Sequence, residues 1–152
     1  MRYFFTSLAL CFISMGAWAN HIDTVSICGH TLEIPAELKL TKTRELTGAD
    51  YSLKWEYISK KDLENLPEKT ITLFNKKLKN VYQLYLLAYF LYEPCKAYGF
   101  VYDDDQGNRA GELVIFAEVN NQPVYVEVKL NSTVFENEKM PVFINRLIVL
   151  GK

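Results

Sequence analysis

The feature that most constrains this chain is the strict two-residue alternation in its second half. Val124, Val126, Val128 and Leu130 point one way along one segment, while Tyr125, Glu127 and Lys129 point the other. That is the period of a strand buried on one face. Asn120-Asn121-Gln122-Pro123 turns the chain into this strand from the apolar run Glu112–Val119. Before that, Asp103-Asp104-Asp105-Gln106-Gly107-Asn108 has turn composition and joins Ala97–Tyr102 to Glu112–Val119 as a hairpin. Consecutive strands on such short turns pair antiparallel.

The same alternation, Leu53, Trp55 and Tyr57 against Ser52, Lys54 and Glu56, predicts another strand. Thr24 to Pro35 reads as two short strands around Cys28-Gly29-His30, and a polar stretch rich in Lys and Thr runs on to Asp50. Ser59 with Asp62 three residues later resembles a capping box, so Lys60 to Leu66 is predicted as a short helix stopped by Pro67. Residues 70 to 93 admit two readings. Ile71, Phe74, Leu78, Val81, Tyr82, Tyr85, Ala88, Tyr89 and Tyr92 share one helical stripe, yet Thr70–Phe74 and the tyrosine-rich run to Tyr92 have strand-like composition. The reading adopted is a strand near Thr70–Phe74 and a helix ending near Glu93, before Pro94. A short helix around Glu138 to Arg146 and an apolar ending, Leu147-Ile148-Val149-Leu150, complete the chain. The expected class is α+β: a single domain of mainly antiparallel β-sheet packed against helix.

Residues 1–19 read as a cleavable signal peptide, with Arg2, an apolar run from Tyr3 to Gly16, and Ala17 and Ala19 around Trp18. The run is shorter than the ~20 residues of a membrane span, and Cys11 lacks the context of a lipid-attachment site. The expected product is residues 20–152, 133 residues because 152 minus 19 is 133, in the periplasm or secreted, with no stable membrane insertion. One of the 17 basic residues lies in the signal and none of the 18 acidic ones, so the product carries 16 minus 18, or about −2. That balance gives no electrostatic reason to bind nucleic acid or an anionic membrane.

Outside the signal the two cysteines are Cys28 and Cys95. In an oxidising compartment they are expected to form a disulfide, stabilising the fold by about 4 kcal/mol in the chain-entropy model. Cys28 and His30, two apart on a predicted strand, would also put a thiolate beside an imidazole, but the spare partner Cys95 favours the bridge. Asp103, Asp105, Asn108 and Glu112 have the oxygen ligands of a calcium loop; Gly107, however, falls fifth where that loop needs glycine sixth, so a solvated hairpin tip is expected. Asn20 with His21 is a weak amino-terminal copper arrangement. No serine sits in a glycine-flanked elbow. Glu112, Glu118 and Glu127 lie on or near strands and can meet as a carboxylate pair, although outward-facing strand charges are commoner. Lys76, Lys77 and Lys79 read as a wet helix face, and Asn131-Ser132-Thr133 as a chance sequon. No metal and no cofactor are expected.

Gly29-His30-Thr31-Leu32-Glu33-Ile34-Pro35, Asp50-Tyr51-Ser52-Leu53 opening a strand, the strands Glu112–Val119 and Val124–Leu130, and a short helix with a final apolar strand follow one another in order. In this layout the chain resembles small exported bacterial proteins with a PsbP-like sandwich, some of which serve as immunity proteins for secreted toxins. The resemblance implies a sandwich-like fold and a protein-binding role, and carries over no site residue. Together these features predict a non-enzymatic binding protein of the bacterial envelope. Its protein partner, a toxin or hydrolase, would be met at the tip Asp103, Asp104, Asp105 and Asn108 and at the loop Leu38–Asp50. A pocket protein for a small apolar ligand and an envelope hydrolase are the alternatives.

Overall fold

The structure is a computed structural model that describes residues 23–151. The expected signal peptide, Cys11 and the Asn20-His21 pair lie outside the described residues.

In chain order the elements are β1 (Thr24–Ile27), β2 (His30–Glu33), β3 (Lys39–Lys42), β4 (Glu45–Thr47), β5 (Tyr51–Tyr57) and α1 (Lys60–Lys77). There follow β6 (Lys79–Phe90), β7 (Glu93–Asp103), β8 (Arg109–Val119), β9 (Gln122–Leu130), a short 3₁₀ turn (Asn137–Lys139), α2 (Val142–Leu147) and β10 (Ile148–Leu150). β1 and β2 form a separate hairpin, and the rest make one curled sheet in the order β10-β6-β7-β8-β9-β5-β4-β3 with every neighbour antiparallel. The class is α+β.

The alternation that predicted the strands also sorts the core into two layers. Leu53 and Trp55 of β5, Leu113, Ile115 and Ala117 of β8, and Val124, Val126 and Val128 of β9 are buried on one face, under the β1–β2 hairpin and α2. Gly99 and Gly111 let the segment after β9 come close over this face. A Cβ on Gly99 would lie 2.8 Å from the Phe135 ring, and one on Gly111 would run into the carbonyl oxygen of Ser132. On the other face Phe100, Val114 and Phe116 are buried under α1, which contributes Leu63, Leu66, Ile71 and Phe74, and under its C-cap Leu78.

α1 is longer than predicted. The Ser59 hydroxyl caps it by accepting from the Asp62 amide at 3.1 Å, but Pro67 does not end it, and the expected strand at Thr70–Phe74 is its second half. A proline inside a helix costs about 3 kcal/mol; here Pro67 is itself buried, and the apolar residues on either side of it pack on the sheet. The expected helix ending near Glu93 is strand β6 instead. Its stripe fits a helical period because nearly every residue is apolar or aromatic, and such a run matches both periods. Inside Leu38–Asp50, β3 and β4 form a small hairpin at the sheet edge.

Candidate functional site

Glu112 and Glu127, named above among three strand acids, meet. The β8–β9 register sets Glu112 opposite Lys129 and Glu127 opposite Val114, so the two carboxylates are diagonal neighbours on the α1 face. Glu112 is 3% exposed. The Tyr102 hydroxyl donates to it at 3.2 Å, the Tyr125 hydroxyl donates to Glu127 at 2.9 Å, and Lys129 Nζ lies 3.4 Å from Glu127. Burial, then the charge of Glu127 beside it, pushes the Glu112 carboxyl up to about 8. Burial and the same carboxylates raise the phenols of Tyr102 and Tyr125. A cleft of about 200 Å³ opens here between the end of α1, at Phe74 and Lys77, and these strand residues. Two carboxyl groups, one kept protonated and one paired with a lysine, can exchange a proton with anything that enters. The third acid, Glu118, stays apart and holds Lys60 at 2.8 Å.

The expected tip residues hold their own turn. Asp104 Oδ1 accepts from the amides of Gln106 at 2.9 Å and Asn108 at 2.8 Å, and Arg109 donates to Asp103 at 2.9 Å. The Asn80 and Arg109 side chains hold the Asp103 carboxyl below the usual carboxylate range, and Asp105 is exposed. No cluster of three metal-ligating side chains occurs among the described residues, and no helix among them is long and apolar enough to cross a membrane.

Cys28 and Cys95 are free thiols, so the structure does not contain the expected bridge. Cys28 sits in the β1–β2 turn, its amide donating to the Tyr57 hydroxyl at 3.0 Å and its carbonyl accepting from Asn120 at 2.9 Å. Cys95 is fixed opposite Ala88 by the β6–β7 ladder. Each packs in the core as a small hydrophobe. Because Cys28 lies in a turn, the strand spacing that set its thiol beside His30 does not apply. Burial pushes the Cys28 thiol up to about 11 and the Cys95 thiol up to about 12. Fewer than about one per cent of either is thiolate at pH 8, so a disulfide-exchange reagent should react slowly with the native protein and release two thiols on denaturation without reductant. A denatured sample that releases none would restore the bridge.

The tyrosine-rich run to Tyr92, expected as helix, carries a row of exposed side chains. Along β6, Tyr85, Leu87 and Tyr89 share the α1 face beyond the reach of the helix, at 61, 63 and 49% exposure, with Val149 of β10 opposite Tyr89. The strand ends in the turn Leu91-Tyr92, where both residues have positive φ, 49° and 72°, and Tyr92 is 83% exposed. A tyrosine in the left-handed region is strained by roughly 1–2 kcal/mol. The signal for this surface was the run of apolar residues with no charge between Asn80 and Tyr92. No family model, curated protein or solved structure matches the chain.

Proposed function

We propose that this is an exported binding protein of the bacterial envelope that acts by contact with a protein partner, as an inhibitor or immunity protein does. The observation that carries the reading is the exposed row Tyr85, Leu87, Tyr89 and Tyr92 on β6 and its turn. Folded monomers seldom leave such a contiguous apolar patch open, and tyrosines anchored on a rigid strand are typical centres of binding energy. The strained Tyr92 backbone fits the same role, since strain of this kind persists where function needs it. The hydrogen bonds of the tip Asp103–Asn108 are taken up by its own turn, which moves the proposed contact surface from there to β6.

Two variants test this. Tyr92→Asn relieves the left-handed backbone and should raise stability by roughly 0.5–1 kcal/mol, while weakening capture of the partner from native envelope extracts by at least about tenfold. Leu87→Lys should abolish capture with little change in stability. If both variants recover the same proteins as the wild type, this surface is not the one that binds.

The carboxylate pair supports a second reading, an envelope hydrolase with Glu112 as general acid and Glu127 as its partner. It requires a measurable hydrolytic activity that Glu112→Gln removes.

A further inference from the structure

Strand β6 has two neighbours of unequal length. β7 runs beside it from Lys79 to Phe90, but β10 covers only Ala88 to Phe90. The outer edge of β6 is therefore open up to Leu87, whose carbonyl accepts from the Gly151 amide at 2.7 Å.

The ladder shows which backbone groups face outward. Gly151 bonds to Leu87, and the Leu91 amide donates to the Leu147 carbonyl at 2.8 Å, so the odd-numbered residues of β6 turn their amides and carbonyls toward the β10 side. In an antiparallel pair this orientation alternates. Gln83 and Tyr85 thus present donors and acceptors to the open edge, while Leu84 and Leu86 bond inward to β7. No strand of the described residues lies alongside them.

Edge strands in soluble proteins are guarded by lysine, proline or brevity. The opposite edge, β3, fits that rule, being four residues long and carrying Lys39 and Lys42. The open stretch of β6 has neither charge nor proline.

We propose that this edge pairs with the same edge of a second copy of the chain, joining two sheets antiparallel about a two-fold axis. A strand added here needs apolar residues on both faces and no charge, and Val81–Leu86 is itself such a segment. A two-fold copy opposes no like charges along it and turns the Lys79 end of each copy toward the Glu93 end of the other. Tyr82 and Tyr85, 60 and 61% exposed and on opposite faces of the strand, add side-chain contact on both sides. Strands this short bury less than the ~1,200–2,000 Å² of a standard interface, so the dimer is weak, with dissociation in the micromolar to millimolar range. The partner surface described above does not depend on this pairing.

The test is amide exchange by nuclear magnetic resonance on the purified chain across that concentration range, with sedimentation velocity in parallel. Leu84 and Leu86 amides should be protected throughout. Gln83 and Tyr85 amides should exchange freely when dilute and at least about tenfold more slowly as dimer accumulates. Tyr85→Pro removes an outward donor and leaves the β7 ladder intact, so it should keep the fold and weaken dimerisation by at least about tenfold. Gln83→Lys, which charges the edge without touching the backbone, should do the same if the proline variant does not fold. A chain that stays monomeric at millimolar concentration overturns the proposal, as does a dimer in which the Gln83 and Tyr85 amides still exchange freely.

Discussion

Glu112→Gln is expected to flatten the pH dependence of folding stability between about pH 5 and pH 8. In the wild-type chain the Glu112 carboxyl is buried at 3% exposure and pushed up to about 8, chiefly by that burial. An unfolded glutamate titrates near 4.3. Across this window the unfolded chain has released a proton that the folded protein still holds, so deprotonation favours unfolding. The stability that Glu112 contributes is fully present below about pH 4 and is lost as pH rises through about 8. At about 1.4 kcal/mol for each pKa unit, the loss is on the order of 3–5 kcal/mol. An amide in its place keeps the size and can still accept from Tyr102, but has no proton to lose. Glu45 and Asp103, both held below the usual carboxylate range, act on the acid side of the window, and the raised phenols and thiols act above it. Urea midpoints should fall from pH 5 to pH 8.5 for the wild type and fall much less for the variant, in which the two thiols have begun to titrate in the unfolded chain at the upper pH. Equal wild-type midpoints would mean that Glu112 is not held protonated.

The strands around this carboxyl could be read from the sequence for two reasons. β5 and β9 alternate, with one face wetter than the other, while β8 is a short apolar run, buried on both faces, that is set off by turns; the Asn120-Asn121 turn, with φ of 51° and 60°, uses residues that tolerate the left-handed region. The fold class followed from them. β6 could not be read this way, since it has exposed tyrosines on both faces among apolar residues, which hides its period. Pro67 misled for a different reason: local helix cost is set against burial on a sheet that sequence windows do not see. The carboxylate pair was half legible. Residue type put Glu112 and Glu127 on neighbouring strands, but their meeting depends on the β8–β9 register, which places Glu112 opposite Lys129. The cysteines were paired by compartment logic alone, while their positions are set by the β1–β2 turn and the β6–β7 ladder.

Phe100→Ala should produce the largest loss of stability tied to the site, and it separates burial from charge as the cause of the Glu112 shift. Phe100 is fully buried, lies directly opposite Glu112 across the β7–β8 ladder, and stacks on Phe74 of α1 with ring centroids 4.7 Å apart. Removing the ring costs about 3–5 kcal/mol in transfer and cavity terms and loosens the end of α1 that covers the carboxylates. Water admitted there solvates Glu112, so its carboxyl should fall toward the ordinary range, and the drop in stability between pH 5 and pH 8.5 should shrink by half or more. Phe74→Ala, which trims the helix side of the same contact, should show both effects more weakly, because Phe74 is only partly buried and Phe100 still shields the carboxyl. Both follow from urea titrations at the two pH values. A Phe100→Ala protein that loses stability yet keeps the full wild-type pH slope would show that the charge of Glu127, and not the apolar cover, keeps the proton on Glu112.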